Sequence, residues 1–193
     1  DNLIGTDKDG VQGVGNGDGG VGLLTTTVAS TGNVVGGETG LTAGGACTGD
    51  CNVIADNGST LIDSGVLLGG PDASGTEIVG NHIGVDVTGL AVLGNSGRSV
   101  NVAAGGTGIR VGSAAGPNVI AGSGAEGIVL DGNAGGVSVQ GNLLGVGSDG
   151  STTLGTGSHG ILVRDDSSFN LIGGTGAGEG NVIANSGDDG VRV

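Results

Sequence analysis

The side chains able to do chemistry in this chain are few, and they fall into three groups. Cys47 and Cys51 stand in the segment Cys47-Thr48-Gly49-Asp50-Cys51. Thiols this close predict a local disulfide that pins a loop, and with it an oxidising, extracytoplasmic setting. A metal site needs more ligands than two thiolates, and His82 and His159 are both remote from the pair in sequence. The second group is acidic. Asp7-Lys8-Asp9-Gly10, Asp86-Val87-Thr88-Gly89 and Gly147-Ser148-Asp149-Gly150 place carboxylates just ahead of a glycine. Asp7, Asp9, Asp86 and Asp149 are therefore the candidate ligands for a hard cation such as calcium. Ordinary turn chemistry accounts for the same residues, because Asp and Gly both favour a tight bend. The third group is Ser158-His159 together with Asp188-Asp189. Acid catalysis on a glycosidic bond needs two carboxyls ~5–9.5 Å apart across a groove. Such grooves are lined by aromatic platforms, and Phe169 is the one aromatic residue here. Arg98, Arg110, Arg164 and Arg192 are scattered, so no catalytic residue is assigned. Gly17-Asp18-Gly19-Gly20-Val21-Gly22 has the form of a dinucleotide fingerprint, but with 50 glycines in 193 residues that is a chance match, and no helix can follow it.

What positions these groups is a repeat. Asn2-Leu3-Ile4-Gly5, Asn81-His82-Ile83-Gly84 and Asn142-Leu143-Leu144-Gly145 open three copies of one kind of turn. Fourteen residues on stand Asn16, Asn95 and Thr156, and five further Val21, Val100 and Ile161. Val21/Leu23, Val100/Val102 and Ile161/Val163 alternate with Gly22, Asn101 and Leu162, the period of a strand with one buried face. A second kind of turn runs through Asn52-Val53-Ile54-Ala55, Asn118-Val119-Ile120-Ala121 and Asn181-Val182-Ile183-Ala184. Each turn reads as strand, Gly-Asn corner, strand, glycine-rich loop, strand. At the corner, Gly141 and Asn142 tolerate a left-handed bend, and stacked asparagines can bond side chain to backbone between turns. Periodicity on this scale marks a solenoid. The repeat units are about 1–80, 81–141 and 142–193 of one domain. Six turns at about 4.8 Å would make a rod roughly 25–30 Å long. Residues 37–64 break the register as a loop insertion projecting from the second turn. Copies of the acidic loop lie two rungs apart, about 10 Å, too far to share one ion. His82 stands where its sister copies have the outward Leu3 and Leu143, which predicts a surface position, and Phe169 is expected to pack at the start of a turn.

Composition narrows the classes. Glycine makes up about a quarter of the chain without the every-third-residue period of collagen, and there are two prolines. Glycine at that density rules out helices, at roughly 1 kcal/mol per interior position, while the recurring Val, Ile and Leu argue against disorder. A core of small aliphatics suits a narrow interior. Nineteen acids against five basic residues give a net charge of −14, which argues against nucleic-acid partners and anionic membrane surfaces. No apolar run reaches the ~18 residues of a membrane span. The missing initiator Met predicts a processed product or a segment of something longer.

The motifs Gly141-Asn142-Leu143-Leu144-Gly145, Asn170-Leu171-Ile172-Gly173-Gly174 and Asn181-Val182-Ile183-Ala184 resemble those of right-handed parallel β-helix repeat proteins of the pectate-lyase-like superfold. Most similar are the glycine-rich repeat arrays of large bacterial surface and secreted proteins. The resemblance covers nearly all the chain and is weakest over 39–64. It implies an all-β right-handed parallel β-helix of about six turns. It says little of function, since that superfold hosts lyases, hydrolases, tailspikes, adhesins and stalks. Ser158-His159 and Asp188-Asp189 are superficially similar to two motifs of polygalacturonase-like β-helices, but in reversed order and without that family's other two. The expectation is a non-enzymatic extracellular or cell-surface stalk, fibre or adhesin segment. The alternatives are a carbohydrate-binding or carbohydrate-cleaving β-helix and a calcium-binding surface-layer or filament subunit. Expected partners are a further copy stacked end to end or continuation into a longer array, and a surface glycan. No cofactor other than calcium is implied.

Overall fold

The computed structural model describes every residue except 25, 26, 71 and 106, and the described residues form three parallel sheets and no helix. The first sheet stacks Leu3–Ile4, Val53–Ile54, His82–Ile83, Val119–Ile120, Leu143–Leu144 and Val182–Ile183 in that order. The second stacks Val21–Leu24, Ser64–Gly70, Arg98–Ala104, Ile128–Leu130, Ile161–Val163 and Val191–Arg192. The third stacks Val34–Gly36, Glu77–Val79, Arg110–Val111, Ser138–Val139 and Leu171–Ile172. The chain visits first, second and third sheet in turn and then climbs one rung. This is the right-handed parallel β-helix of about six turns implied by the repeat.

Register explains why so glycine-rich a chain holds together. Ile4, Ile54, Ile83, Ile120, Leu144 and Ile183 lie directly over one another in the first sheet and face inward. Val66, Val100, Ile128 and Ile161 form a second column, and Val35, Ile78, Val111, Val139 and Ile172 a third. The three columns meet in one aliphatic core along the rod, in which Ile54, Ile83, Ile120, Leu144, Ile128 and Ile161 are fully buried. Fully burying side chains of this size contributes about 1.5–3 kcal/mol each.

The corner asparagines form a continuous ladder. Asn2 Nδ2 donates to Asn52 Oδ1 at 2.8 Å, Asn52 Nδ2 to Asn81 Oδ1 at 2.9 Å and Asn81 Nδ2 to Asn118 Oδ1 at 3.1 Å. Asn118 Nδ2 donates to Asn142 Oδ1 at 2.9 Å, and Asn142 Nδ2 to Asn181 Oδ1 at 3.0 Å. The same amides cap strand carbonyls, Asn81 Nδ2 reaching Val35 O at 2.9 Å and Asn118 Nδ2 reaching Ile78 O at 2.8 Å. A shorter ladder, Asn16–Asn57–Asn95, lines the corner before the second sheet. The left-handed residue at the first corner is the glycine alone: Gly80 and Gly141 both have φ of 69°, whereas the asparagines keep ordinary backbone.

The two kinds of turn differ after the first-sheet strand. In one, the strand ends on Gly84 or Gly145, with φ of 76° and 72°. A Cβ at Gly84 would strike the carbonyl oxygen of Ala121 on the next rung, and one at Gly145 that of Ala184. The other kind keeps alanine there and places the left-handed residue one later, at Asp56, Gly122 and Asn185. The alternation of Ile-Gly with Ile-Ala is thus steric: where one rung bends at once, only glycine clears the carbonyl of the rung stacked on it.

Each glycine-ending turn throws out a hairpin arm, over residues 5–15, 84–94 and 145–155, closed by the antiparallel bridges Thr6–Gly13, Val85–Val92 and Val146–Thr153. The arms were expected to be about 10 Å apart. They touch at their tips. Val87 N donates to Gly10 O at 2.8 Å, and Ser148 N to Gly89 O at 2.9 Å. Residues 37–64 also depart from expectation. The strand Val53–Ile54 within them stacks as the repeat predicts, but the long loop before it does not project. It folds back onto the outer face of the first sheet, where Cys47, Cys51 and Val53 pack against Leu41 and Val87.

Candidate functional site

The loop before Val53–Ile54 roofs a cavity of about 250 Å³ over the first sheet. Its floor is made by the outward side chains His82, Val119 and Leu143 of three successive strands. The far wall is Ala114, Ala115 and Pro117. The volume lies below the ~300–1,000 Å³ of pockets that hold drug-sized ligands, so the space suits an ion, waters or a very small molecule.

Cys47 and Cys51 form a disulfide at the inner edge of this cavity. Both are buried, at 7% and 2% exposure. The loop is tied to the second arm at Cys47 and closes its own turn at Cys51. Cys47 N donates to Val87 O of the second arm at 2.7 Å, and Cys51 N to Thr48 O at 3.2 Å. Arg110 fastens the loop's other end, with Nη2 at 2.8 Å from Glu77 and 3.4 Å from Glu38. The Glu77 carboxylate, assisted by Glu38, raises the Arg110 pKa, which keeps the guanidinium charged.

His82 was expected on the surface, and the structure corrects this. It does face outward from the first sheet, but the insertion and the second arm cover it to 6% exposure. Its Nδ1 lies 3.2 Å from the backbone oxygen of Asp86, so Nδ1 carries the proton and Nε2 the lone pair. Burial holds its pKa below the usual 6.5, and the ring is neutral at pH 7. Cys47, Cys51 and His82 offer ligand atoms that all lie within 4.8 Å of one another. Sequence separation had hidden this convergence. One signal was available: at the outward position of the first sheet the chain has Leu3, Val53, Val119, Leu143 and Val182, and His82 is the polar exception.

The carboxylates of the acidic candidates serve the arms. Asp7 Oδ1 accepts from Val11 N at 2.9 Å and Gln12 N at 3.2 Å, and these amides lower its pKa. Asp86 Oδ1 accepts from Thr88 Oγ1 at 2.7 Å and Leu90 N at 3.2 Å. Asp149 takes Thr152 N at 2.8 Å and Ser151 N at 2.9 Å, which hold its carboxyl well below the usual carboxylate range. Asp9 pairs with Lys8 at 2.8 Å on the surface. A cation at these tips would compete with backbone amides for the same oxygens. The four aspartates do not converge into one ligand set with one another or with a histidine.

His159 and Asp189 are brought together on adjacent rungs, where Asp189 N donates to His159 Nδ1 at 3.2 Å and the carboxylate Oδ2 lies 3.7 Å from the same nitrogen. They continue a column at the entry to the second sheet in which Arg98 and Glu126 pair at 3.5 Å. Ser158 Oγ donates to Asp188 Oδ2 at 3.1 Å instead of to the imidazole, so no nucleophile–base pair forms here. Phe169, expected to pack, is 96% exposed with φ of 56° at a turn.

No protein-family model matches the chain, and neither does any curated protein or solved structure. No helix among the described residues is long and apolar enough to cross a membrane.

Proposed function

We propose that the chain is a structural rod: a length of extracellular β-helical stalk, fibre or adhesin, of the glycine-rich bacterial surface or secreted repeat type. The observation that carries it is the unbroken ladder from Asn2 through Asn52, Asn81, Asn118 and Asn142 to Asn181, running beside a continuous aliphatic core. Every rung is bonded to the next by side chain as well as by strand pairing, which suits a part whose work is to hold distance and direction. Each rung alone buries too little to fold, and stacking supplies the rest. The Cys47–Cys51 disulfide agrees with an oxidising exterior. The net charge of −14 keeps such a surface soluble and disfavours polyanionic partners.

A carbohydrate-cleaving alternative has one observation in its favour, the approach of His159 to Asp189 across two rungs. Two measurements decide between them. Antibody against the rod should label intact, unpermeabilised cells of the source. The purified protein should release no reducing ends from a panel of uronic-acid and neutral polysaccharides. Labelling confined to permeabilised cells overturns the location, and sugar release that disappears in His159→Ala overturns the structural role.

A further inference from the structure

Cys47, Cys51 and His82 come from two separate segments, and neither the disulfide nor the rod requires an imidazole there. A histidine on this sheet face costs desolvation that Leu3 and Leu143 in the equivalent positions avoid. From this convergence we infer that the dithiol form of Cys47 and Cys51, together with His82, is a binding site for a single zinc-class divalent cation, whose remaining coordination position opens onto the cavity beneath the insertion loop.

Three features of the site support this. The ligand atoms lie within 4.8 Å of one another while the sulfurs are still bonded, and opening the disulfide frees the two sulfurs to move apart from each other and toward the imidazole, as tetrahedral spacing requires. The imidazole is already oriented, because Nδ1–H is held by the Asp86 backbone oxygen at 3.2 Å, the outer-shell bond that leaves Nε2 free as a ligand. The second arm supports both halves of the site at once, since Asp86 orients His82 while Val87 O holds the Cys47 amide at 2.7 Å. Charge selects the ion. Two thiolates and a neutral imidazole carry −2, which a divalent ion cancels in a buried setting and a monovalent one does not. The three buried protein ligands and a cavity of about 250 Å³ beside them leave room for a water or a small ligand in the fourth position.

The chemistry is gated by oxidation state. Two equivalents of a small thiol reductant, or one of a dithiol, reduce the Cys47–Cys51 bond to two thiols and are themselves oxidised to a disulfide. Binding the divalent ion then releases the two thiol protons to solvent. With the disulfide closed, neither sulfur is a thiolate ligand and the site is shut.

The test uses the whole 193-residue protein. It is reduced with a dithiol, freed of reductant without air, and titrated with Co2+ as a spectroscopic stand-in for Zn2+. The expected result is one ion per chain, with thiolate-to-metal charge-transfer bands and the visible bands of tetrahedral Co2+, all displaced by Zn2+. The oxidised protein, identical in sequence and fold, should show none of these bands. His82→Ala, checked by circular dichroism, should bind at least ~10–100-fold more weakly, since loss of a ligand costs no less than loss of a ligand's outer-shell partner. Absence of binding by the reduced protein overturns the proposal. So does a His82→Ala protein with unchanged affinity and spectrum, which would make the cysteines a simple chelating pair.

Discussion

Replacing Asn118 by alanine tests whether the asparagine ladder bears the rod's stability or merely accompanies it. Asn118 is fully buried, and its amide serves both neighbours. Its Oδ1 accepts from the Asn81 backbone N at 3.0 Å, and its Nδ2 donates to Asn142 Oδ1 at 2.9 Å. The alanine variant orphans the buried Asn81 N–H and the Asn142 Oδ1. Other partners survive: Asn81 Nδ2 keeps Val35 O and Val79 O, and Ile78 O keeps Gly112 N. Each orphaned group costs about 1–3 kcal/mol, so the expected loss is about 2–6 kcal/mol. Asn2→Ala removes only the Nδ2 bond to Asn52 Oδ1 at an exposed rung, where water replaces it and the Asn2 backbone N still donates to the same oxygen, and should stay within about 0.5 kcal/mol. A stacked array need not unfold in one step, so the assay is native-state hydrogen exchange in peptides spanning residues 79–83, with urea denaturation alongside. The low end of the expected range is a loss of about 30-fold in protection at that rung. If Asn118→Ala changes protection there no more than Asn2→Ala does, the ladder is not what holds successive rungs.

Two further substitutions and one titration follow from the same geometry. Gly145→Ala and Gly150→Ala have nearly equal φ, 72° and 70°, but a Cβ at the first meets the Ala184 carbonyl and one at the second meets nothing. Both should pay about 1–2 kcal/mol for a left-handed alanine; Gly145→Ala should unfold at clearly lower urea than Gly150→Ala, and equal midpoints would contradict the steric account of the Ile-Gly and Ile-Ala turns. Asp7, Asp63 and Asp149 have folded pKa values below the ordinary 3.8, each because two backbone amides bond the carboxylate. Their contribution to stability is therefore present above 3.8 and is lost as pH falls from there through the folded values. Carboxyl-carbon NMR titration should show midpoints below 3.8 for these three, and midpoints at or above it would mean that the two arm turns and the Ser59–Asp63 turn are not closed as described.

Much of the rod is legible in the sequence because its signals are local and repeated. The pair after each corner asparagine, as in Asn81-His82-Ile83 or Asn118-Val119-Ile120, sets which side chain points inward. The fixed offsets to Val21, Val100 and Ile161 locate the second sheet. The asparagine's role follows from what a stacked amide can bond. Loop paths do not follow in the same way. Nothing in residues 37–52 alone says whether they extend into solvent or lie back on the sheet. The outcome depends on Leu41, Cys47 and Cys51 meeting Val53 and the arm residue Val87, which is a contact between rungs. The arms were misplaced for a related reason. Spacing by rung number gives the distance between their bases, while Gly10 and Val87 meet at their tips.

The candidate site combines these two kinds of information, which is why only half of it could be read. Cys47 and Cys51 are neighbours in the chain, and their pairing needed no knowledge of the fold. His82 reaches them through register, since its strand stacks directly on Val53–Ile54, the strand that follows the loop of residues 37–52. A loop that precedes one strand and folds back must cover the outward residue of that strand or of the next. The outward residue of the next strand is a histidine where the same position elsewhere carries leucine or valine. Polar substitution at an outward position and an insertion one rung away are each unremarkable for a solenoid surface. Together they place an imidazole beside two sulfurs in a buried space, and that combination separates this part of the rod from the repeats that only extend it.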